Sequence, residues 1–165
     1  MPELFFQETK KSDLGMILSL EMDKENAPYI FANSKKEHKN LISDSDVKHF
    51  LLKFKSGETI GFVILAGLEN KNKSIELRRI VIHDKGKGYG RQAIQKIKKT
   101  CFHELKCHRL WLDVLETNDR ARHLYRSEGF VREGVFRESI QVKEQYLNQI
   151  FMSILESEYQ NTIIP

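Results

Sequence analysis

The chain reads as an α/β protein with a mixed, mostly antiparallel central sheet, one parallel crossover pair and flanking helices. Three observations predict this. Between His49 and Ile82, three strand-like segments follow one another across two short polar turns, an antiparallel meander. A helical run from Gln92 to Leu105 then separates Ile80-Val81-Ile82 from another apolar strand, Arg109 to Val114. Strand, helix, strand in that order implies a right-handed crossover and a parallel pair. Beyond Gly129, strand character returns at Phe130 to Phe136, and Tyr146 to Leu155 alternates into a long final strand.

Taken in order, Glu3 to Glu8 forms an opening strand. Ser12-Asp13 starts a helix with Leu14, Ile17, Leu18 and Met22 on one face. Asn26 to Asn33 contains Pro28 and reads as a loop or broken helix, its Tyr29 and Phe31 either core plugs, the favoured reading for each alone, or the wall of a substrate pocket. Ser34 caps a short polar helix to about Leu41, and Ser43 to Asp46 is a connection. The meander runs His49 to Phe54, Thr59 to Leu68 and Ser74 to Ile82, turning at Ser56-Gly57-Glu58 and at Glu69 to Lys73. Gly61, inside the middle strand, marks a bulge or a close backbone approach. Ala93, Ile94, Ile97 and Cys101 recur at helical spacing. Thr117 or Asn118 caps a helix carrying Ala121, Leu124 and Tyr125, which ends at Gly129. The last ten residues read as a tail. With no repeat or linker, residues 1–165 are expected to form one domain.

Composition narrows the function classes. Hydrophobic residues at 40% and charged residues at 30% suit a folded core rather than disorder. The net charge of +4 is a modest basic excess with no dominant arm, which fits a small anionic ligand as well as nucleic acid. Two cysteines, Cys101 and Cys107, make no disulfide framework, so reduced thiols and a cytoplasmic location are expected. The N-terminus lacks a signal peptide's basic and apolar regions, and no apolar run is long enough to span a bilayer.

The stretch Lys85-Gly86-Lys87-Gly88-Tyr89-Gly90-Arg91 carries the first chemical signal. Alternate glycines let a backbone bend tightly against a ligand, and the following helix aims unpaired N–H groups at one point. With three cations among them, the arrangement suits a pyrophosphate. A basic solvated turn fits the same residues. A dinucleotide fingerprint is excluded because Arg91 stands where it needs glycine, and a phosphate-loop NTPase because Gly-Lys-Ser/Thr is absent.

Two motifs in order resolve the alternatives. Lys85-Gly86-Lys87-Gly88-Tyr89-Gly90, after Ile80-Val81-Ile82, is similar to the Gln/Arg-x-x-Gly-x-Gly/Ala loop of the GNAT superfamily of N-acetyltransferases. Asn118-Asp119-Arg120-Ala121-Arg122-His123-Leu124-Tyr125-Arg126-Ser127-Glu128-Gly129-Phe130 resembles that family's Asn-x-x-Ala-x-x-Leu-Tyr-x-x-x-Gly-Phe signature at full spacing. Lys85 departs from the usual Gln or Arg but keeps a cation. The segment from Gly129 toward Tyr146 looks like the branch holding ribosomal-protein N-terminal and polyamine acetyltransferases.

The resemblance implies an acetyl-CoA-dependent N-acetyltransferase acting by direct transfer to an amine. It implies cofactor binding by Ile80, Val81, Ile82, the loop Lys85 to Arg91, and Asn118. The pantetheine arm would lie between the strand ending at Ile82 and Trp111 to Val114, with a backbone N–H near Val81 stabilising the oxyanion. Tyr125 matches the general acid, a phenol of pKa ~10 giving its proton to a thiolate of ~8.5. Glu76 resembles the glutamate that accepts the amine's proton; an ion pair with Arg78 or Lys73 is the plainer role for the same residue. Arg78 and Arg79 should point to opposite faces, with one lining the cleft. The expected partners are acetyl-CoA and an amine acceptor, the acceptor binding at the loop Asn26 to Asn33 and the Phe136 to Tyr146 hairpin. No metal, nucleic acid or membrane partner is expected, and a homodimer is left open. A CoA-binding module without transferase activity and a basic nucleic-acid-binding domain are the rival classes.

Overall fold

The computed structural model describes residues 2–163. Its centre is a seven-stranded sheet: β1 (Leu4–Glu8), β2 (Val47–Phe54), β3 (Thr59–Ala66), β4 (Ser74–Ile82), β5 (Arg109–Leu115), β6 (Val131–Val142) and β7 (Gln145–Leu155). The strand order is β1-β2-β3-β4-β5-β7-β6. Every pairing is antiparallel except β4 with β5, the crossover expected from the sequence.

Helices cover the two faces unevenly. α1 (Leu14–Met22) and α2 (Lys35–Ser43) lie over the β2–β4 half, closing a cluster of Ile17, Val47, Leu51, Phe62, Ile64 and Val81. α3 (Tyr89–Lys99), α4 (Asp119–Ser127) and α5 (Glu156–Ile163) cover the other face, over Leu52, Val63, Leu77, Ile94, Leu110, Leu112 and Ile154. α2 starts as the sequence dictates: Ser34 accepts from the Glu37 amide and the Glu37 carboxylate returns the bond, a capping box. None of the helices among the described residues is long and apolar enough to cross a membrane.

Two irregularities shape the middle of the sheet. Leu52 pairs with Gly61 and Lys53 with Thr59, leaving Ile60 as an extra residue. A Cβ on Gly61 would stand 2.0 Å from the Val81 carbonyl oxygen, so glycine is what lets β3 approach β4. In β4, Arg79 pairs with Ile64 but Leu77 with Leu65, which makes Arg78 the odd residue of a bulge.

Several expectations are corrected. On α1 the buried positions are Leu14, Ile17 and Glu21, while Met22 is 72% exposed. Tyr29 and Phe31 are exposed, so the aromatics of the α1–α2 loop do not enter the core. The helix after the glycine loop begins at Tyr89, and its last turn, Thr100–Glu104, widens to π geometry. Residues 156–163 form α5 instead of a tail, because Tyr159 is buried and stacks on Phe102 at 4.8 Å; the last two residues lie outside the described range.

Candidate active site

β4 and β5 pair only through Ser74↔Arg109, Ile75↔Leu110 and Glu76↔Trp111. From Leu77 onward, β4 has no partner on that side, while β5 stays paired with β7 to Leu115. A wedge therefore opens toward the C-terminal ends of two parallel strands. The His83 amide donates to the Ile60 carbonyl, so ladder alternation turns the backbone groups of Val81 toward β3. The groups of Ile80 and Ile82 face the wedge. Near Val81, the amides left free on the wedge side are therefore those of Ile80 and Ile82.

The wedge leads into the glycine loop. Asp84, Gly86 and Gly88 all have positive φ, +55°, +87° and +80°, so every second residue is left-handed. Such alternation turns successive N–H groups inward and makes an anion-binding concavity, here at the N-terminus of α3. At Gly90 a Cβ would meet Leu124 Cδ2 at 3.2 Å, so this glycine also lets α3 pack closely on α4. The side chains around the loop are all engaged. Lys85 Nζ donates to the Glu25 carbonyl, and Lys87 to Asp84 at 2.8 Å. Arg91 reaches Glu128 at 2.7 Å and Ser127 at 3.1 Å, and Tyr89 packs edge-on against Phe54. The loop therefore offers an anion its backbone first.

α4 brings in the second motif. Asn118 Oδ1 accepts from the Ala121 amide at 3.2 Å, which leaves its Nδ2 as a donor beside the wedge. Gly129, at φ +93°, closes the helix. Tyr125 is 8% exposed and packs against Phe130. Burial, reinforced by the Asp113 charge, pushes its phenol well above the usual tyrosine range. Among the described residues its hydroxyl has no hydrogen-bond partner, yet the one sealed, unpartnered side-chain polar atom is Gln92 Oε1.

On the α1–α2 side, the face of β5, β7 and β6 is left uncovered. Trp111 stacks on Phe151 at 6.0 Å and Phe136 on Phe151 at 4.2 Å, with Asp113 on the same row. Glu76, opposite Trp111, shares that face; its carboxylate accepts from Arg78 Nε at 3.1 Å and NH2 at 3.0 Å. The plainer role foreseen for Glu76, pairing with Arg78, is thus the geometry observed. A cleft of about 630 Å³ lies where the end of α1 meets the end of β4, lined by Met22, Asp23, Glu25, Ile82, His83 and Asp84 among others. Arg122, on α4, is tied to the Glu116 carbonyl at 2.7 Å and to Asp119 at 2.9 Å.

Sequence reasoning missed a buried polar chain beneath the α1–α2 loop. Thr9 Oγ1 lies 2.9 Å from His49 Nδ1, His49 Nε2 lies 3.2 Å from His38 Nδ1, and His38 Nε2 lies 2.9 Å from Glu21 Oε2. Glu21 Oε1 accepts from Arg79, whose other nitrogen donates to the Phe31 carbonyl at 2.7 Å. The available signal was His38 at helical spacing from Leu41 and Ile42. Burial pushes the Glu21 carboxyl up, but hydrogen bonds from His38 and Arg79 outweigh it and leave a net lowering. His49 is lowered from 6.5 to about 4, first by burial and then by the charge of His38. A base with a folded pKa below its unfolded value protonates first in the unfolded chain. Its contribution is therefore intact above pH 6.5 and is lost as pH falls toward 4, on the order of 3 kcal/mol. Denaturant midpoints should drop between pH 6.5 and 4.5, less steeply in His49→Asn; equal slopes would deny His49 this role.

The sequence profile of the acetyltransferase (GNAT) family matches residues 15–130. The spermidine N(1)-acetyltransferase of Vibrio cholerae is 28% identical over 167 residues, covering 96% of this chain and 96% of that protein. A putative ribosomal N-acetyltransferase of Bacillus subtilis is 25% identical over 105 residues, 63% of this chain and 57% of that protein. The solved structure of the Vibrio cholerae spermidine N-acetyltransferase with CoA and spermine superposes with a TM-score of 0.86 at 28% identity, covering 96% of this chain and 99% of that one.

Proposed function

The chain belongs to the GNAT family of acetyl-CoA-dependent N-acetyltransferases, and from that premise we propose that it acetylates a primary amine of a linear polyamine, with Tyr125 as the general acid. The observation that carries the proposal is the wedge itself. The β4–β5 pairing stops just before the anion-binding loop, and the Tyr125 hydroxyl has no partner among the described residues. The residues present fit acetyl-CoA: alternating left-handed backbone for the pyrophosphate, unpaired Ile80 and Ile82 groups for pantetheine amides, and Asn118 Nδ2 as a further donor. Bound acetyl-CoA supplies the activated acyl group.

The chemical roles divide among four residues. An Ile80 or Ile82 amide stabilises the oxyanion formed when the amine attacks. Tyr125 protonates the departing sulfur. Glu76 accepts the amine's proton, with Arg78 fixing the carboxylate's position. The polyamine reading draws on the uncovered face, where Trp111, Phe151 and Phe136 stand with Glu76 and Asp113. Aromatic rings and carboxylates in one row suit a ligand of spaced cations and methylenes. The spermidine acetyltransferases similar to this chain point the same way.

The test is release of CoA with spermidine, spermine, aminoglycosides, and peptides bearing free N-termini as acceptors. Turnover on spermidine or spermine at least about tenfold above the others is expected. Turnover confined to peptides would replace the acceptor and keep the transferase. Thermal stabilisation by acetyl-CoA but not by RNA or DNA separates this reading from a nucleic-acid-binding domain.

A further inference from the structure

We propose that Arg79 is a positioning residue for the acceptor, holding the second half of the α1–α2 loop in place over the wedge. The inference rests on the functional reading above, because it assigns that loop to the acceptor side. Arg79 stands on β4 beyond the last β4–β5 pair, so it marks the open edge of the sheet. One end of its guanidinium is held by Glu21, whose side chain is fully buried. The other end donates to the carbonyl of Phe31, in a loop that carries the exposed rings of Tyr29 and Phe31.

The rest of the loop explains why this one bond matters. Its first half is fixed several times: Asn26 and Ala27 amides donate to the Asp23 carbonyl, Asn26 Nδ2 donates to Leu20, and Lys85 donates to Glu25. Among the described residues, the only hydrogen bond to the backbone from Ile30 to Ala32 is the one from Arg79. A lone contact from a flexible surface arginine would fix little. Here the guanidinium is anchored from behind by a chain through Glu21, His38, His49 and Thr9. His49 stacks on Phe62 at 5.5 Å, and the His38 ring meets the same Phe62 edge-on at 5.9 Å. The position of the loop is thus copied from the core, along this hydrogen-bonded chain, to the surface where an acceptor passes.

Arginine is required by geometry: its planar fork spans a carboxylate and a carbonyl at once, whereas a lysine ammonium balances the buried charge without reaching both. Arg79→Lys is therefore the informative variant. In the full-length protein with spermidine and acetyl-CoA, the KM for spermidine should rise by about tenfold. The KM for acetyl-CoA and kcat should stay within about twofold. Hydrogen exchange at the amides of residues 30–33 should quicken, with the melting temperature nearly unchanged. A spermidine KM equal to wild type would overturn the proposal, as would parallel losses in both KM values together with the melting temperature. If the wild-type protein acetylates no amine, the functional reading fails, and the exchange rates at residues 30–33 still decide whether Arg79 holds the loop.

Discussion

Tyr125→Phe should lower kcat by roughly 10²–10⁴-fold, the range general acid catalysis commonly supplies, while leaving the dissociation constant of acetyl-CoA close to wild type. The structure makes this variant unusually clean. The ring packs on Phe130 in the α4 side of the core, and phenylalanine preserves that contact. The hydroxyl has no hydrogen-bond partner among the described residues, so its removal orphans no buried group and should change stability little. Because burial and Asp113 hold the phenol protonated beyond the ordinary range, the acid stays loaded throughout the physiological region. The kcat profile should accordingly show no loss from Tyr125 ionisation below about pH 10. Calorimetry gives the binding constant and single-turnover kinetics the chemical step. Unchanged turnover would assign protonation of the sulfur to solvent.

The largest effect on stability is expected at Arg79→Met, at about 3–5 kcal/mol, the usual loss when one partner of a buried ion pair is removed. The reason lies in what remains. Glu21 keeps its bond from His38 but loses the guanidinium while its side chain stays wholly buried. The double variant Glu21→Gln with Arg79→Met should recover the greater part of that loss, since it removes the uncompensated charge as well. Denaturant titration of the wild type, Glu21→Gln, Arg79→Met and the double variant measures the coupling directly. Additive losses would mean that the pair contributes nothing as a pair.

What could be read from the sequence divides along a physical line. Asn118 through Phe130 was legible because cap, apolar face, tyrosine and terminating glycine are all set within one short helix. The glycine loop was legible for the same reason, although the close packing of α3 on α4 at Gly90 was not. The Glu21–His38–His49 chain was not legible, because its members come from α1, α2 and β2 and meet only when those elements close over the sheet. Nor was the bulge at Arg78, which depends on the register between β3 and β4. It overturns simple alternation: Arg78 folds back onto Glu76 while Arg79 turns to Glu21. Tyr29 and Phe31 show a further limit, since an aromatic suited to a core suits an acceptor wall equally well. α5 rests on a single buried ring, Tyr159, in a polar octapeptide, too little apolar pattern to announce a helix.

The short seam between β4 and β5 has a consequence for how the molecule holds together. Three residue pairs join a four-stranded unit, β1 to β4, to a three-stranded one, β5, β7 and β6. Within each unit the antiparallel ladders run nearly the full length of the strands. The seam is the weakest backbone joint of the sheet, yet one buried core crosses it, from Leu52, Val63 and Leu77 on one side to Leu110, Leu112 and Ile154 on the other. A pantetheine chain lying in the wedge would touch both edges and act as a removable eighth strand. Binding there would bridge in backbone contacts the two edges that the side-chain core already joins from behind.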